Sequence, residues 1–139
     1  MQRRTLVAAA AAFGLTSTAL SAFAAEKGTQ YVVLDKPLPN AEGTLIKVFS
    51  YDCPFCYKYD VGVDPRVLPR IEKEVGLKFK PMHLETKGTY GRCASVFLAM
   101  CMLRDEKAGV SIEDKNSLFK KAKDAIYNAY HRKQERWTA

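Results

Sequence analysis

The sequence has few of the features that mark membrane proteins or small disulfide scaffolds. It contains four cysteines in 139 residues, which are too few for a miniature fold held together by disulfides. After residue 24 no apolar run approaches the roughly 20 residues that a helix needs to cross a bilayer. The same part of the chain has no internal repeat and no low-complexity tract. These absences exclude a membrane bundle and a collagen-like rod.

Composition and charge describe one ordinary globular domain. Hydrophobic residues make up 47% and charged residues 27%, a balance that also excludes a disordered tail. A chain of this length fits a single domain. Lys and Arg number 22 against 15 Asp and Glu, for a net charge of +7. A basic balance permits acidic partners but does not by itself indicate nucleic acid, and we expect no nucleic-acid partner.

Residues 1–24 have the three parts of a secretory signal peptide. Arg3 and Arg4 give a basic start, residues 6–15 form an uncharged apolar core, and small residues at positions 22 and 24 suit a signal peptidase. The apolar core is too short for a membrane anchor, and a twin-arginine pattern is incomplete. We expect cleavage after Ala24 and general secretion. Because a basic, alanine-rich signal looks bacterial, the predicted location is the periplasm.

Apolar runs and chain breakers predict an α/β fold for the first half of the mature chain. Short apolar runs predict strands at residues 31–34, 45–49 and 77–84, and Pro81 places the end of the last one toward an edge. Asp64 and Pro65 open a predicted helix that Gly76 ends. Pro69 is expected to kink or restart that helix.

The second half of the chain is predicted to be helical. An apolar stripe of Val96, Phe97, Met100 and Leu103 predicts a helix over residues 94–103. A capping box at residues 111–114 predicts the start of the next helix. Apolar residues then recur at helical spacing, namely Leu118, Phe119, Ala122, Ile126, Tyr127 and Tyr130.

One short motif carries chemistry, because Cys53-Pro54-Phe55-Cys56 directly follows the best strand candidate. At a helix start, two cysteines three residues apart lie on one side, where free backbone N–H groups and the helix dipole stabilise a thiolate. A stabilised thiolate lowers the cysteine pKa and favours the reduced form, so the disulfide form is oxidising. The predicted reaction is attack of a substrate thiolate on Cys53, followed by release through a second substrate thiolate. Pro54 preorganises the turn, and Phe55 offers an apolar contact beside the sulfurs.

Other uses of the cysteines and histidines fit the sequence less well than a redox centre. A zinc knuckle needs a second ligand pair, which neither the other cysteines nor the histidines are spaced to supply. A purely structural disulfide stays open, but the order of strand, motif and helix is typical of redox centres. Cys93 and Cys101 are expected in one helix, about 12 Å apart and too far for a disulfide. His83 is expected to be packed or on the surface, and His131 to lie on a solvated basic face.

Two stretches of the sequence carry a family resemblance. Residues 30–37 read Gln-Tyr-Val-Val-Leu-Asp-Lys-Pro, and residues 48–57 read Val-Phe-Ser-Tyr-Asp-Cys-Pro-Phe-Cys-Tyr. They resemble the first strand and the active-site signature of the periplasmic disulfide oxidases of the DsbA family, which are thioredoxin-like. Residues 119–137 look closer to the DsbL branch, whose members serve an arylsulfate sulfotransferase.

The resemblance implies a thioredoxin-like fold in residues 25–139, with the active site in a first half at 31–84 and a helical insertion at 92–137. Cys53 would be the nucleophile and Cys56 the buried resolving thiol, with no metal and no cofactor besides their disulfide. Secreted proteins with free thiols would be substrates, and a quinone-linked membrane enzyme of the DsbB or DsbI type would reoxidise the pair. Family members continue into a cis-proline loop, two strands and a helix, so we expect this chain to be truncated at its carboxy terminus.

Two positions depart from the family pattern. Phe55 replaces a histidine that can donate to the thiolate, which should make the pair less oxidising. Lys47 replaces an acidic residue and has two open interpretations: an ammonium that favours the thiolate, or a lysine that extends from a strand edge to water. Tyr51 and Tyr57 are candidate substrate contacts or core residues. Phe55 is expected to face solvent and to contact substrate.

Three functions stay open on the sequence alone. The leading one is an oxidase that donates disulfides to secreted proteins. A disulfide isomerase or reductase with the same motif would instead be kept reduced by an electron donor. A truncated peptide-binding fragment without activity would be unaffected by Cys53→Ser, whereas an oxidase would lose thiol oxidation.

Overall fold

The computed structural model describes residues 25–137, and the predicted signal peptide lies outside them. The chain divides into two units, Met1–Pro37 and Leu38–Ala139. The described part of the first unit contains only local structure, a single bridge between Lys27 and Tyr31 and a turn in which Gln30 N–H donates to Glu26 C=O at 2.8 Å. The predicted strand at residues 31–34 is therefore wrong. Its β-prone side chains find no partner strand among the described residues of this unit, 25–37, and a lone extended run does not form a ladder.

The second unit is built on two parallel strands, β1 (Thr44–Phe49) and β2 (Lys78–His83). The pairing runs in register from Thr44 opposite Lys78 to Phe49 opposite His83. A parallel pair needs a long crossover, and two helices supply it: α1 (Pro54–Gly62) and α2 (Asp64–Val75). Both predicted strands are confirmed within two residues of their ends. The pairing brings the carboxyl ends of β1 and β2 side by side next to the Cys-x-x-Cys motif.

Helix α2 follows the predicted start and stop signals. Pro65 lies in its first turn, and Gly76 ends it in the left-handed conformation with φ of 77°, which glycine adopts without steric cost. Pro69 lies inside the helix, which continues through it instead of restarting. Leu68 is the buried residue of this helix.

Helix α3 (Gly91–Lys107) turns a different face to the core from the one predicted. Leu98, Cys101 and Asp105 are its buried positions beyond the first turn. The predicted stripe is about half exposed at all four of its positions, which are Val96, Phe97, Met100 and Leu103. A buried aspartate breaks the expected apolar pattern, so hydrophobicity alone pointed to the wrong side of the helix.

Helix α4 (Leu118–Tyr127) has its N-cap six residues after Ser111, the first residue of the predicted capping box. Ser117 is the actual N-cap, and its Oγ accepts a hydrogen bond from the Lys120 N–H at 3.0 Å. The Asp105 carboxylate accepts three more hydrogen bonds at this helix start, from Ser117 Oγ, Leu118 N–H and Phe119 N–H. A π-helical segment (Asn128–Arg132) continues α4. The free N–H groups of a helix start need acceptors. Ser117 Oγ and the Asp105 carboxylate supply these acceptors, so the helix begins after Ser117 and not at the predicted capping box.

The core joins the end of β1 to the helices α3 and α4. It consists of Phe49, Leu98, Cys101, Phe119 and Tyr127. Cys56 and Tyr57 of α1 pack against it while remaining partly exposed. Within residues 25–137, no helix combines the length and the apolar character that crossing a membrane requires.

Candidate active site

Cys53 lies at the N-cap of α1, as the sequence predicts. Its Sγ accepts a hydrogen bond from the backbone N–H of Cys56 at 3.2 Å, and Pro54 occupies the first turn. Both motif cysteines are unpaired thiols, and both are partly buried. The Cys53 sulfur thus lies where free N–H groups and the positive end of the helix dipole favour a thiolate.

The two motif thiols have different surroundings. Cys56 packs against the core, and this burial, followed by the hydrogen bond with the Cys53 side chain, raises its pKa. The Lys47 ammonium acts in the opposite direction and lowers the pKa of Cys56. Since a buried neutral thiol is a poor nucleophile until its proton leaves, Cys56 is less suited than Cys53 to exchange directly with a substrate.

Lys47 does not extend to water from the strand edge. Its Nζ forms an ion pair with Asp64 Oδ2, and the side chains of both residues are mostly buried. Asp64 is the first residue of α2, so the pair ties β1 to the crossover helices. Sequence reasoning did not include Asp64 in the site, although an acidic residue at a helix start opposite a strand lysine is a usable signal.

The aromatic residues of the motif region divide by exposure. Phe55 is 69% exposed, with Lys58 Nζ 5.7 Å from its ring centre, which confirms that it faces solvent. Tyr57 is half-buried. Tyr51 is 3% exposed, so its side chain offers no surface to a substrate. This contradicts the expectation of a substrate contact and agrees with the alternative that Tyr51 is a core residue. It packs in a cluster of aromatic rings where its Oη accepts from the Tyr90 N–H at 3.1 Å.

Both histidines lie next to the motif, and neither was placed there by the sequence. His83 Nε2 accepts a hydrogen bond from the Tyr51 N–H at 3.0 Å. His131 Nε2–H donates to the Tyr51 C=O at 2.8 Å. The predicted solvated position of His131 is wrong, because its ring stacks on that of Tyr57 with centres 4.9 Å apart. Only the fold reveals these contacts, since they join residues 32 and 80 positions apart.

Cys93 and Cys101 lie in α3, as predicted, with Cys93 exposed and Cys101 buried.

A cleft of about 470 Å³ adjoins the motif helix α1. It is lined by residues of α1, α2, β2, α4 and the π-helical segment. An ion pair between Lys123 and Asp60 crosses from α4 to α1 at this cleft. Over residues 25–137 no group of three or more histidine, cysteine or acidic side chains is arranged to hold a metal ion.

Known proteins resemble this chain over nearly its whole length. The thiol:disulfide interchange protein DsbL of Escherichia coli is 52% identical over 96% of the chain, and that of Lelliottia amnigena is 56% identical over 92%. The match covers 57% and 55% of those relatives, so the chain spans little more than half their length. A DsbL crystal structure from Salmonella enterica superposes with a TM-score of 0.73 at 55% identity, covering 83% of this chain and 57% of that one. No protein-family model matches the chain.

These similarities define the class of protein: the chain has the thioredoxin-like fold of the DsbA family and belongs to that family. Within the family, DsbA of Salmonella typhi is 33% identical over 70% of the chain. The DsbL relatives, at 52–56% identity, are much more similar, which places the chain with the DsbL branch.

Proposed function

We propose that the chain is a periplasmic thiol:disulfide oxidoreductase whose Cys53–Cys56 pair donates a disulfide to secreted proteins. The observation that carries the proposal is the position of Cys53 at the N-cap of α1, with its sulfur accepting from the Cys56 N–H. The names of the relatives, thiol:disulfide interchange proteins, support the same activity.

The proposed exchange has two steps that conserve electrons. A substrate thiolate attacks the sulfur of Cys53 in the disulfide form, which makes a mixed disulfide and releases the Cys56 thiolate. A second substrate thiolate then attacks the substrate sulfur of that bond and releases Cys53 as a thiolate. The substrate gains a disulfide, and the two cysteines take up its two electrons.

The surroundings of the two sulfurs support this division of roles. The helix start stabilises Cys53 as a leaving thiolate in the second step. Cys56 is the more protected thiol, packed against the core. Phe55 presents an exposed ring beside the pair, which is suited to contact an unfolded substrate peptide.

The proposed cellular setting comes from the family resemblance and the predicted signal peptide. Secretion to the periplasm supplies an oxidising compartment in which a disulfide donor can work. A quinone-linked membrane enzyme of the DsbB or DsbI type would reoxidise the pair. Substrates would be secreted proteins with free thiols, with an arylsulfate sulfotransferase as the specific candidate.

Cys53→Ser tests this function. The purified chain, oxidised beforehand, is mixed with a reduced peptide that contains two cysteines, and peptide disulfide is measured by mass. We expect Cys53→Ser to abolish peptide oxidation, because the sulfur that accepts the substrate is gone. Cys93→Ser is the matched control, since Cys93 is an exposed thiol of α3 outside the motif, and it should oxidise the peptide as the parent does.

The alternatives make different predictions in the same assay. An active Cys53→Ser variant would contradict the proposal. A parent chain that binds the peptide but leaves it reduced, with binding unchanged by Cys53→Ser, would favour the peptide-binding fragment. If the chain is an isomerase or reductase, its reduced form would rearrange a substrate with scrambled disulfides. It would leave the reduced peptide unoxidised.

A further inference from the structure

We propose that His83 and His131 are positioning residues that hold the backbone of Tyr51, one at its N–H and one at its C=O, and thereby fix Cys53 at the helix start. The inference rests on the proposed disulfide exchange and adds to it two side chains that hydrogen-bond to neither sulfur. They are the two histidines of the chain, and they come from different elements.

His83 holds the Tyr51 N–H from the end of β2. Its Nε2 accepts this N–H at 3.0 Å, so the ring proton lies on Nδ1, which donates to Ser95 Oγ at 2.7 Å. Only the neutral ring in this tautomer makes both hydrogen bonds. The ring also stacks on that of Tyr51, with centres 6.0 Å apart and an angle of 14° between the planes.

His131 holds the Tyr51 C=O from the π-helical segment, an irregularity that frequently occurs at functional sites. Its Nε2–H donates to that oxygen at 2.8 Å. Its ring lies nearly parallel to that of Tyr57, with an angle of 6° between the planes. His131 therefore contacts both Tyr51, two residues before Cys53, and Tyr57, directly after Cys56.

The loop between β1 and α1 depends on these contacts because it makes few hydrogen bonds within itself. The Ser50 C=O accepts from the Cys53 N–H at 3.2 Å, and Ser50 Oγ donates to Asp52 Oδ1 at 2.6 Å. The histidines tie the loop to β2 and to the segment after α4. Since Cys53 follows Tyr51 by two residues, a shift of Tyr51 moves the sulfur away from the Cys56 N–H.

The positioned Cys53 sulfur accepts the Cys56 N–H at 3.2 Å, and such a hydrogen bond stabilises a thiolate more than a disulfide sulfur. Loss of the positioning should therefore weaken the reduced form and favour the disulfide. In exchange with glutathione disulfide, Cys53 and Cys56 form an S–S bond. Their two electrons and two protons go to the glutathione disulfide, which becomes two molecules of reduced glutathione. Loss of one hydrogen bond should raise the equilibrium constant of this oxidation roughly two- to tenfold.

Variants at His131 separate the hydrogen bond from ring packing. His131→Phe keeps a ring that can stack on Tyr57 but loses the donor, whereas His131→Gln restores an N–H donor without the ring. Tyr130→Phe is the control, because the Tyr130 ring lies beside both Tyr51 and His131. Each purified chain is equilibrated in glutathione buffers, its thiols are trapped by alkylation, and its thermal unfolding is recorded.

We expect His131→Phe to raise the equilibrium constant roughly two- to tenfold, and His131→Gln and Tyr130→Phe to stay within about twofold of the parent. A folded His131→Phe with an unchanged constant would overturn the proposal, as would a His131→Gln shifted as far as His131→Phe. If the parent pair itself behaves like a flexible dithiol, the proposed oxidase function fails, and the histidines are then judged by the next measurement alone.

Nitrogen NMR of the parent chain tests the positioning without any variant that might unfold. The geometry requires the proton of His83 on Nδ1 and a proton on Nε2 of His131. Observation of these protons at neutral pH, with slow exchange of the Tyr51 amide proton, supports the proposal. A His83 ring with its proton on Nε2 overturns it, because that nitrogen then cannot accept from Tyr51.

Discussion

The environment of Cys56 shows how a single charge acts on the motif at the scale of one residue. Burial against the core raises the pKa of this thiol, and the Lys47 ammonium lowers it. Asp64 holds that ammonium by an ion pair. The lysine thus acts on Cys56 in the direction that one of the two sequence interpretations required.

Replacement of Lys47 by methionine is predicted to raise the pKa of Cys56 further. The reason is that removing the positive charge leaves desolvation by burial to act without opposition from this lysine. The pH dependence of Cys56 alkylation, measured in a Cys53→Ser background, should move to higher pH. Lys73→Met is the control, because it removes the same charge from an exposed position of α2. Equal profiles for the two variants would show that Lys47 does not act on this thiol.

The sequence predicts some residues of the candidate site but not others. Cys53, Cys56 and the exposed Phe55 were predictable because a motif at a helix start fixes their local geometry. Asp64, His83 and His131 were not, because their roles depend on contacts with residues 17 to 80 positions away. Such contacts leave no periodic pattern in the chain.

At the scale of the element, the start of α4 depends on a residue from another helix. Asp105 is 2% exposed and accepts hydrogen bonds from Ser117, Leu118 and Phe119. Burial alone would raise the pKa of this carboxyl, but the hydrogen bonds from Phe119, Leu118 and Ser117 lower it below its ordinary value. The charged form is therefore the one that stabilises the junction of α3 and α4.

Asp105→Asn is predicted to lower the free energy of unfolding at pH 7 by about 1–3 kcal/mol, because one charged acceptor is lost from a buried cap. With its folded pKa depressed, Asp105 stabilises the fold above the ordinary value of 3.8, and this stabilisation disappears as pH falls through the folded pKa. Urea unfolding should show that the difference in the free energy of unfolding between parent and variant shrinks as pH falls through the folded pKa of Asp105.

The control for this prediction is Asp114→Asn, at an exposed turn where Asp114 Oδ1 accepts from the Asn116 N–H. It should change stability by less than about 0.5 kcal/mol. A loss as large as that of Asp105→Asn, or a difference that does not depend on pH, would speak against the role of the buried carboxylate.

The elements themselves were partly predictable. Strands β1 and β2 and the start and end of α2 followed from apolar runs, Pro65 and Gly76. The core face of α3 and the start of α4 did not, because Asp105 is a buried polar residue and hydrophobic periodicity treats such a position as solvent-facing. The run at residues 31–34 failed because strand propensity depends on a partner strand, which the sequence of the run does not show.

At the scale of the whole molecule, the described part of the chain combines a two-stranded parallel sheet with the helices that cover one end of it. The fold agrees with that of a DsbL crystal structure, and the chain spans 57% of the Escherichia coli DsbL relative. The apolar positions Val96, Phe97, Met100 and Leu103 of α3 are exposed within this part. We infer that this chain by itself builds the helix-start environment that makes the motif oxidising.

The measurement that tests this claim most directly is the redox equilibrium of the unmodified chain. It is equilibrated in graded glutathione buffers, trapped by alkylation, and its modified cysteines are counted by mass. We predict that the Cys53–Cys56 disulfide is far easier to reduce than that of a flexible Cys-Pro-Phe-Cys peptide, because the N-cap position stabilises the Cys53 thiolate. A pair that titrates together with the flexible peptide would contradict the claim.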